Sequence, residues 1–220
     1  MTQPELESDS RILSPPERFS EILFGLIMVL SFTCAMSVAT AGKEDVREML
    51  VGAIGCNLAW GIVDAVMYLL NVLAGRGRSI ALLRSLRGTS DAALAHRIVA
   101  EALPPLVAST LKESDLESIR EQLRRLPEPP ARPWLEPRDW RGAAGVFLLV
   151  FLSTFPVVVP FVFIGAPALA LRVSNGIAIA MLFVAGYKLA LYSGLRPART
   201  GLAMVTVGAV LVAVTIALGG

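Results

Sequence analysis

Five stretches of this chain are apolar for about 20 residues or more, at roughly 22–42, 49–74, 142–165, 173–193 and 201–219. A helix needs about 20 mostly apolar residues to cross the hydrocarbon core of a bilayer. Within that core each backbone amide must find its partner inside the protein, which leaves helices and closed barrels as the only spanning structures. Blocks this long and unalternated are not barrel strands. The chain is therefore expected to be an all-α integral membrane protein with about five transmembrane helices. Composition agrees, since 55% hydrophobic residues and a mean hydropathy of +0.64 are too apolar for a water-soluble domain. The first 20 residues carry Glu5, Glu7, Asp9 and Glu17. They lack the basic leader of a cleavable signal, so the first block is expected to target the chain and stay in the membrane.

Four regions follow: a polar tail over 1–18, helices one and two over 19–75, an insert and proline-rich linker over 76–141, and helices three to five over 142–220. Twelve of the 20 Lys and Arg residues fall in 76–141, whereas the loop between the first two spans holds only Lys43 and Arg47. The positive-inside bias places the N-terminus and the insert in the cytoplasm, and five spans then put the C-terminus outside. Nine acidic residues interleave with those twelve basic ones. No nucleic-acid partner is expected of so mixed a charge pattern; basic residues beside a membrane set topology and touch anionic lipid. Seventeen Arg against three Lys point to a bacterial plasma membrane.

The insert reads as short amphipathic helices. Ile80, Leu82, Leu83 and Leu86 form one apolar stripe, Thr89 or Ser90 can cap a helix that ends at Pro104-Pro105, and Ser114 with Glu117 has the spacing of a capping box. Pro127 to Pro137 reads as an extended linker. Gly186, Ala190 and Gly194, like Ala209 and Ala213, recur at four-residue spacing, which lets helix backbones approach closely in lipid. Cys34 and Cys56 each lie inside a span, and neither metal-ligand spacing nor a disulfide framework is present.

The second span breaks its own apolar character. Asp64 stands near its middle, with Asn57 seven residues before and Asn71 seven after, so the three share a helix face. A carboxylate at that depth costs roughly 2.5–3.5 kcal/mol on insertion scales. It serves either as hydrogen-bonding glue between helices or as part of a proton or cation path. Arg172 and Lys188 are charges that could pair with it, though both lie near span ends. Pro156 and Pro160, behind Ser153-Thr154, are expected to bend the third span. Met28 and Met67 offer soft thioethers. Glu113, Glu117 and Glu121 form a four-spaced carboxylate row, readable as a solvated face or a weak metal site. His96 is the only histidine, and a surface role is expected of it. No nucleophile–base pair, phosphate loop or zinc motif is present, so no enzyme is expected.

Two spans, a helical insert and three more spans resemble the layout of the vacuolar iron transporter family. Glu21-Ile22-Leu23-Phe24-Gly25-Leu26 is similar to the start of the family's first span, and Asn57-Leu58-Ala59-Trp60-Gly61 to a small-residue run in its second. Arg199-Thr200-Gly201-Leu202-Ala203-Met204 resembles its fifth. The resemblance implies a homodimer that moves ferrous iron or manganese as cargo, with no permanently bound cofactor. The sequence also departs from the family. Ile27, Met28 and Val29 replace an Asn-Asp-Gly whose aspartate belongs to the transport path, Leu69 and Ala65 stand where a glutamate and a methionine are usual, and 76–87 contain no acid. The expected function is a divergent divalent-cation transporter whose path uses Asp64, Asn57, Asn71, Met67 and Met28. The alternative is a membrane scaffold whose insert, 76–141, docks a cytosolic protein.

Overall fold

The computed structural model describes residues 13–35 and 43–217. The polar tail up to residue 12, the end of the first apolar block at 36–42 and residues 218–220 lie outside them, as does the side chain of Cys34. Among the described residues the chain forms helices and no strand: α1 Pro15–Ala35, α2 Lys43–Gly88, α3 Ala92–Ala102, α4 Pro105–Ala108, α5 Glu113–Arg125, α6 Pro137–Ser153, α7 Phe155–Phe163, α8 Pro167–Ser193 and α9 Pro197–Ala217. Four of the described stretches are long and apolar enough to cross a membrane: Leu50–Gly88, Pro137–Phe163, Pro167–Ser193 and Pro197–Val214. The chain divides into two compact units, one of residues up to Tyr68 and from Pro137 onward, the other Leu69–Glu136.

In the first unit α8 packs on α1, α7 and α9, and α1 packs also on α6 and α9. Leu26, Val29 and Leu30 of α1 meet Val157 of α7 and Leu182 of α8 in its core. Lipid tails are as apolar as leucine, so close backbone approach, not water exclusion, must hold such helices together. Gly186 supplies it on α8, where a Cβ would come within 2.6 Å of Met204. Gly201 reciprocates from α9, where a Cβ would lie 2.8 Å from Phe183. Gly194 does something else. Its φ of 68° closes α8 in the left-handed conformation, and Leu195 N returns to Ala190 O at 3.1 Å. Four-residue spacing is common to packing faces and helix ends, and Pro197 following so soon marks the end. Ala209 and Ala213 are exposed.

The third apolar block is broken at Thr154, between α6 and α7. Pro156 and Pro160 cannot donate to the preceding turn. Thr154 N turns back to Phe151 O at 3.3 Å, which deprives Val150 O of its usual donor; Ser153 Oγ donates to that carbonyl instead at 2.7 Å. Ser174 Oγ of α8 donates to Val157 O at 2.6 Å. Hydroxyls thus serve backbone that water cannot reach.

In the second unit, the stripe of Ile80, Leu82, Leu83 and Leu86 is no separate short helix but the end of α2, which continues unbroken to Gly88. Gly75 and Gly77 weaken a helix by about 1 kcal/mol each yet remove no amide, so they do not end it. The cap of α3 is Asp91, not Thr89 or Ser90, and its Oδ1 accepts from Ala93 N at 2.9 Å. α5 begins one residue before Ser114, and Asp115 Oδ2 accepts from Lys112 N at 2.9 Å. Glu117 is thereby left out of any cap. The proline-rich linker is extended and is clasped by α2. Arg84 Nη2 donates to Pro130 O and Ala131 O, both at 2.9 Å. Arg87 reaches Leu126 O and Pro127 O, and Arg76 reaches Trp134 O and Glu136. The pairing 76 with 134, 84 with 130 and 87 with 126 runs the linker antiparallel to the helix.

Candidate functional site

The polar face of α2 meets α1 in antiparallel register. Asn57 is fully buried, and its Nδ2 donates to Gly25 O at 3.2 Å and to Thr154 Oγ1. Glycine is required at 25, because a Cβ there would lie 2.7 Å from Val150 O and would strike Ser153 Oγ. One rung along, Phe24 meets Trp60 edge to face with ring centroids 5.7 Å apart. Continued one rung further, this register puts Asp64 at the level of Glu21. Two acceptors on this ladder find no donor among the described residues: Asn57 Oδ1 and Asp64 Oδ2, both buried atoms. A buried acceptor without a donor costs about 1–3 kcal/mol, more when charged. Two carboxylates on facing helices are oxygen ligands of the kind a hard or borderline cation binds.

Glu21 was the residue sequence reasoning missed. It stands just ahead of the first apolar block, where an acid reads as the polar edge of a span. Its one signal was position: four residues before Gly25, it lies on the same face of α1.

Of the other residues expected on the path, Met28 is half-buried on α1 and Met67 is 49% exposed on α2. The antiparallel register carries these two to opposite ends of the ladder. Asn71 is exposed and belongs to the second unit. Arg172 and Lys188 are exposed, and neither forms an ion pair with Asp64 among the described residues. Glu113, Glu117 and Glu121 do not converge, and the described residues hold no group of three or more His, Cys, Asp or Glu side chains placed to share a metal. Glu121 pairs with Arg125 at 3.7 Å. Glu117 Oε2 lies 2.6 Å from His96 Nε2 and accepts from the buried Arg120 Nη1 at 3.1 Å. These bonds, His96 first, hold the Glu117 carboxyl below its ordinary value. His96 is thus no lone surface histidine: it ties α3 to α5.

A chain whose described residues form helices and no strand, with four helices long and apolar enough to cross a bilayer, is an integral membrane protein. A sequence model of the VIT family matches residues 88–220, and the chain belongs to that family, one of membrane metal-ion transporters and not of enzymes. The matched residues take in the insert from residue 88 onward and α6 to α9; α1 and nearly all of α2, which carry the ladder, lie outside them. No curated protein matches the chain.

Proposed function

We propose that this protein carries a divalent cation, iron(II) or manganese(II), across the membrane through the α1–α2 ladder, in exchange for protons. The observation that carries this reading is the meeting of Glu21 and Asp64 at one level of α1 and α2, with Asp64 Oδ2 buried and without a donor among the described residues. A divalent cation neutralises both carboxylates at once; in its absence a proton relieves their repulsion. Glu21 and Asp64 would bind the ion, Asn57 Oδ1 would offer an oxygen two helical turns further along the path, and Met28 and Met67 would stand toward its two exits. α1 supplies the fifth span, with the N-terminus and insert in the cytoplasm and the C-terminus outside. A homodimer in a bacterial plasma membrane is the assembly this reading takes. Purified protein in proteoliposomes should take up Fe²⁺ or Mn²⁺, and Asp64→Asn or Glu21→Gln should each lower uptake by about tenfold or more with the melting temperature kept. No uptake above empty liposomes would sink the proposal.

One observation favours a second reading, a membrane scaffold that docks a cytosolic protein through the insert. Glu117 and Glu121 of α5 are engaged with His96, Arg120 and Arg125 rather than open to a metal. That reading expects Asp64→Asn to change stability alone.

A further inference from the structure

The first unit holds a groove that the ladder does not use. Its volume is about 550 Å³, and Arg18, Arg141, Leu148, Leu152, Pro156 and Met181 are among the residues that line it. Arg18 is in the first turn of α1 and Arg141 in the second turn of α6, so the basic end lies where both helices begin. Arg18 Nε donates to Leu13 O at 3.0 Å, which fixes the side chain, and its terminal nitrogens have no partner among the described residues. Among the described residues Arg141 makes no hydrogen bond or ion pair, and none of those that line the groove is a carboxylate. From there the lining is apolar but for Ser153, whose hydroxyl is spent on Val150 O. Leu148 and Leu152 are about half exposed toward the outside, and the far end is closed by Met181, midway along α8.

The depth identifies the occupant. Arg141 to Leu152 is eleven residues, about 17 Å of helix at 1.5 Å per residue. The hydrocarbon core is about 30 Å thick, so the groove is one leaflet deep. A free phosphate ion would use the two guanidinium groups but leave the apolar wall unfilled; an uncharged lipid would do the reverse. Guanidinium groups favour phosphate oxygens through charge-assisted, often paired, hydrogen bonds, and a cavity of this size suits one bound molecule.

We infer that this groove binds one anionic phospholipid of the leaflet on which α1 and α6 begin, with its phosphate between Arg18 and Arg141 and an acyl chain along Leu148 and Leu152 toward Met181. The full-length protein in neutral detergent should keep one phosphatidylglycerol per chain in native mass spectra and release phosphatidylcholine. Phosphatidylglycerol should raise the wild-type melting temperature, saturating at one lipid per chain, and inorganic phosphate should not displace it. Arg18→Gln with Arg141→Gln should weaken retention about tenfold, two charge-assisted contacts being lost, while Arg97→Gln on the exposed face of α3 should change nothing. Leu148→Trp, which fills the wall and keeps both charges, should lower retention too. Equal retention of the two lipids, displacement by phosphate, or undiminished binding by the double variant would each overturn the assignment. So would a lipid-free dimer mass, which would give the groove to a second copy of the chain. Should the double variant fail to fold, the wild-type lipid preference and its one-to-one saturation decide alone.

Discussion

Gly25 and Gly55 lie on neighbouring helices and face opposite demands. A Cβ at Gly25 has no room against Val150 O, a backbone atom that cannot swing aside, whereas one at Gly55 would meet nothing within 4 Å. Gly25→Ala is therefore expected to force α1 away from α6 at a cost of about 1–3 kcal/mol, and Gly55→Ala to be neutral or stabilising. Melting temperatures of the two variants in one detergent compare them directly. Glu117 gives a prediction in pH. Its folded carboxyl titrates below the ordinary 4.5 because His96 and Arg120 hydrogen-bond to the charged form. The unfolded chain thus takes up its proton first, so this carboxylate's stabilisation is complete above pH 4.5 and is lost as pH falls through the lower, folded value. The wild type should unfold at higher urea than Glu117→Gln at pH 6, and the gap should close on acidification below pH 4.5. A gap that widened in acid would contradict the assignment of its partners.

At the scale of elements, helix ends decide more than helix middles. α3 is 11 residues long, too short to persist alone in water; it depends on its cap and on the burial of Ala95 and Val99. Asp91→Ala should cost about 1 kcal/mol, so amide exchange along α3 should quicken about fivefold with α6 to α9 unaffected. The elements also show what the sequence could yield. Apolar length gave α8, α9 and the combined α6–α7, because span length is fixed by the bilayer and hardly by context. Boundaries were harder. Thr89, Ser90 and Ser114 all have cap-forming side chains, and which one is used depends on where the preceding chain lets the helix start; Asp91 and Lys112–Asp115 won that competition. The end of α2 was misread as a separate helix, since two glycines and a change from leucine to arginine mimic a boundary while leaving every amide able to donate.

For the whole molecule, half of the ladder was legible. Asp64 and Asn57 stand out because apolar neighbours surround them in sequence; Glu21 does not, because only the antiparallel register of α1 and α2 brings it to Asp64. The fate of the basic insert was hidden for a related reason. Arginine count is visible in a sequence, but Arg84 and Arg87 spend their donors on main-chain carbonyls of the linker, which no side-chain pattern announces. Replacing both with glutamine should free 126–136, and thermolysin should nick that stretch about tenfold faster than in the wild type. The clasp has an evolutionary corollary. A guanidinium that grips carbonyls reads a feature every residue shares, so Glu128, Ala131 and Arg132 can drift without loosening the hold. Selection would then act on the gripping arginines and on the length of what they grip. Related chains should differ freely in the letters of this segment and seldom in their number.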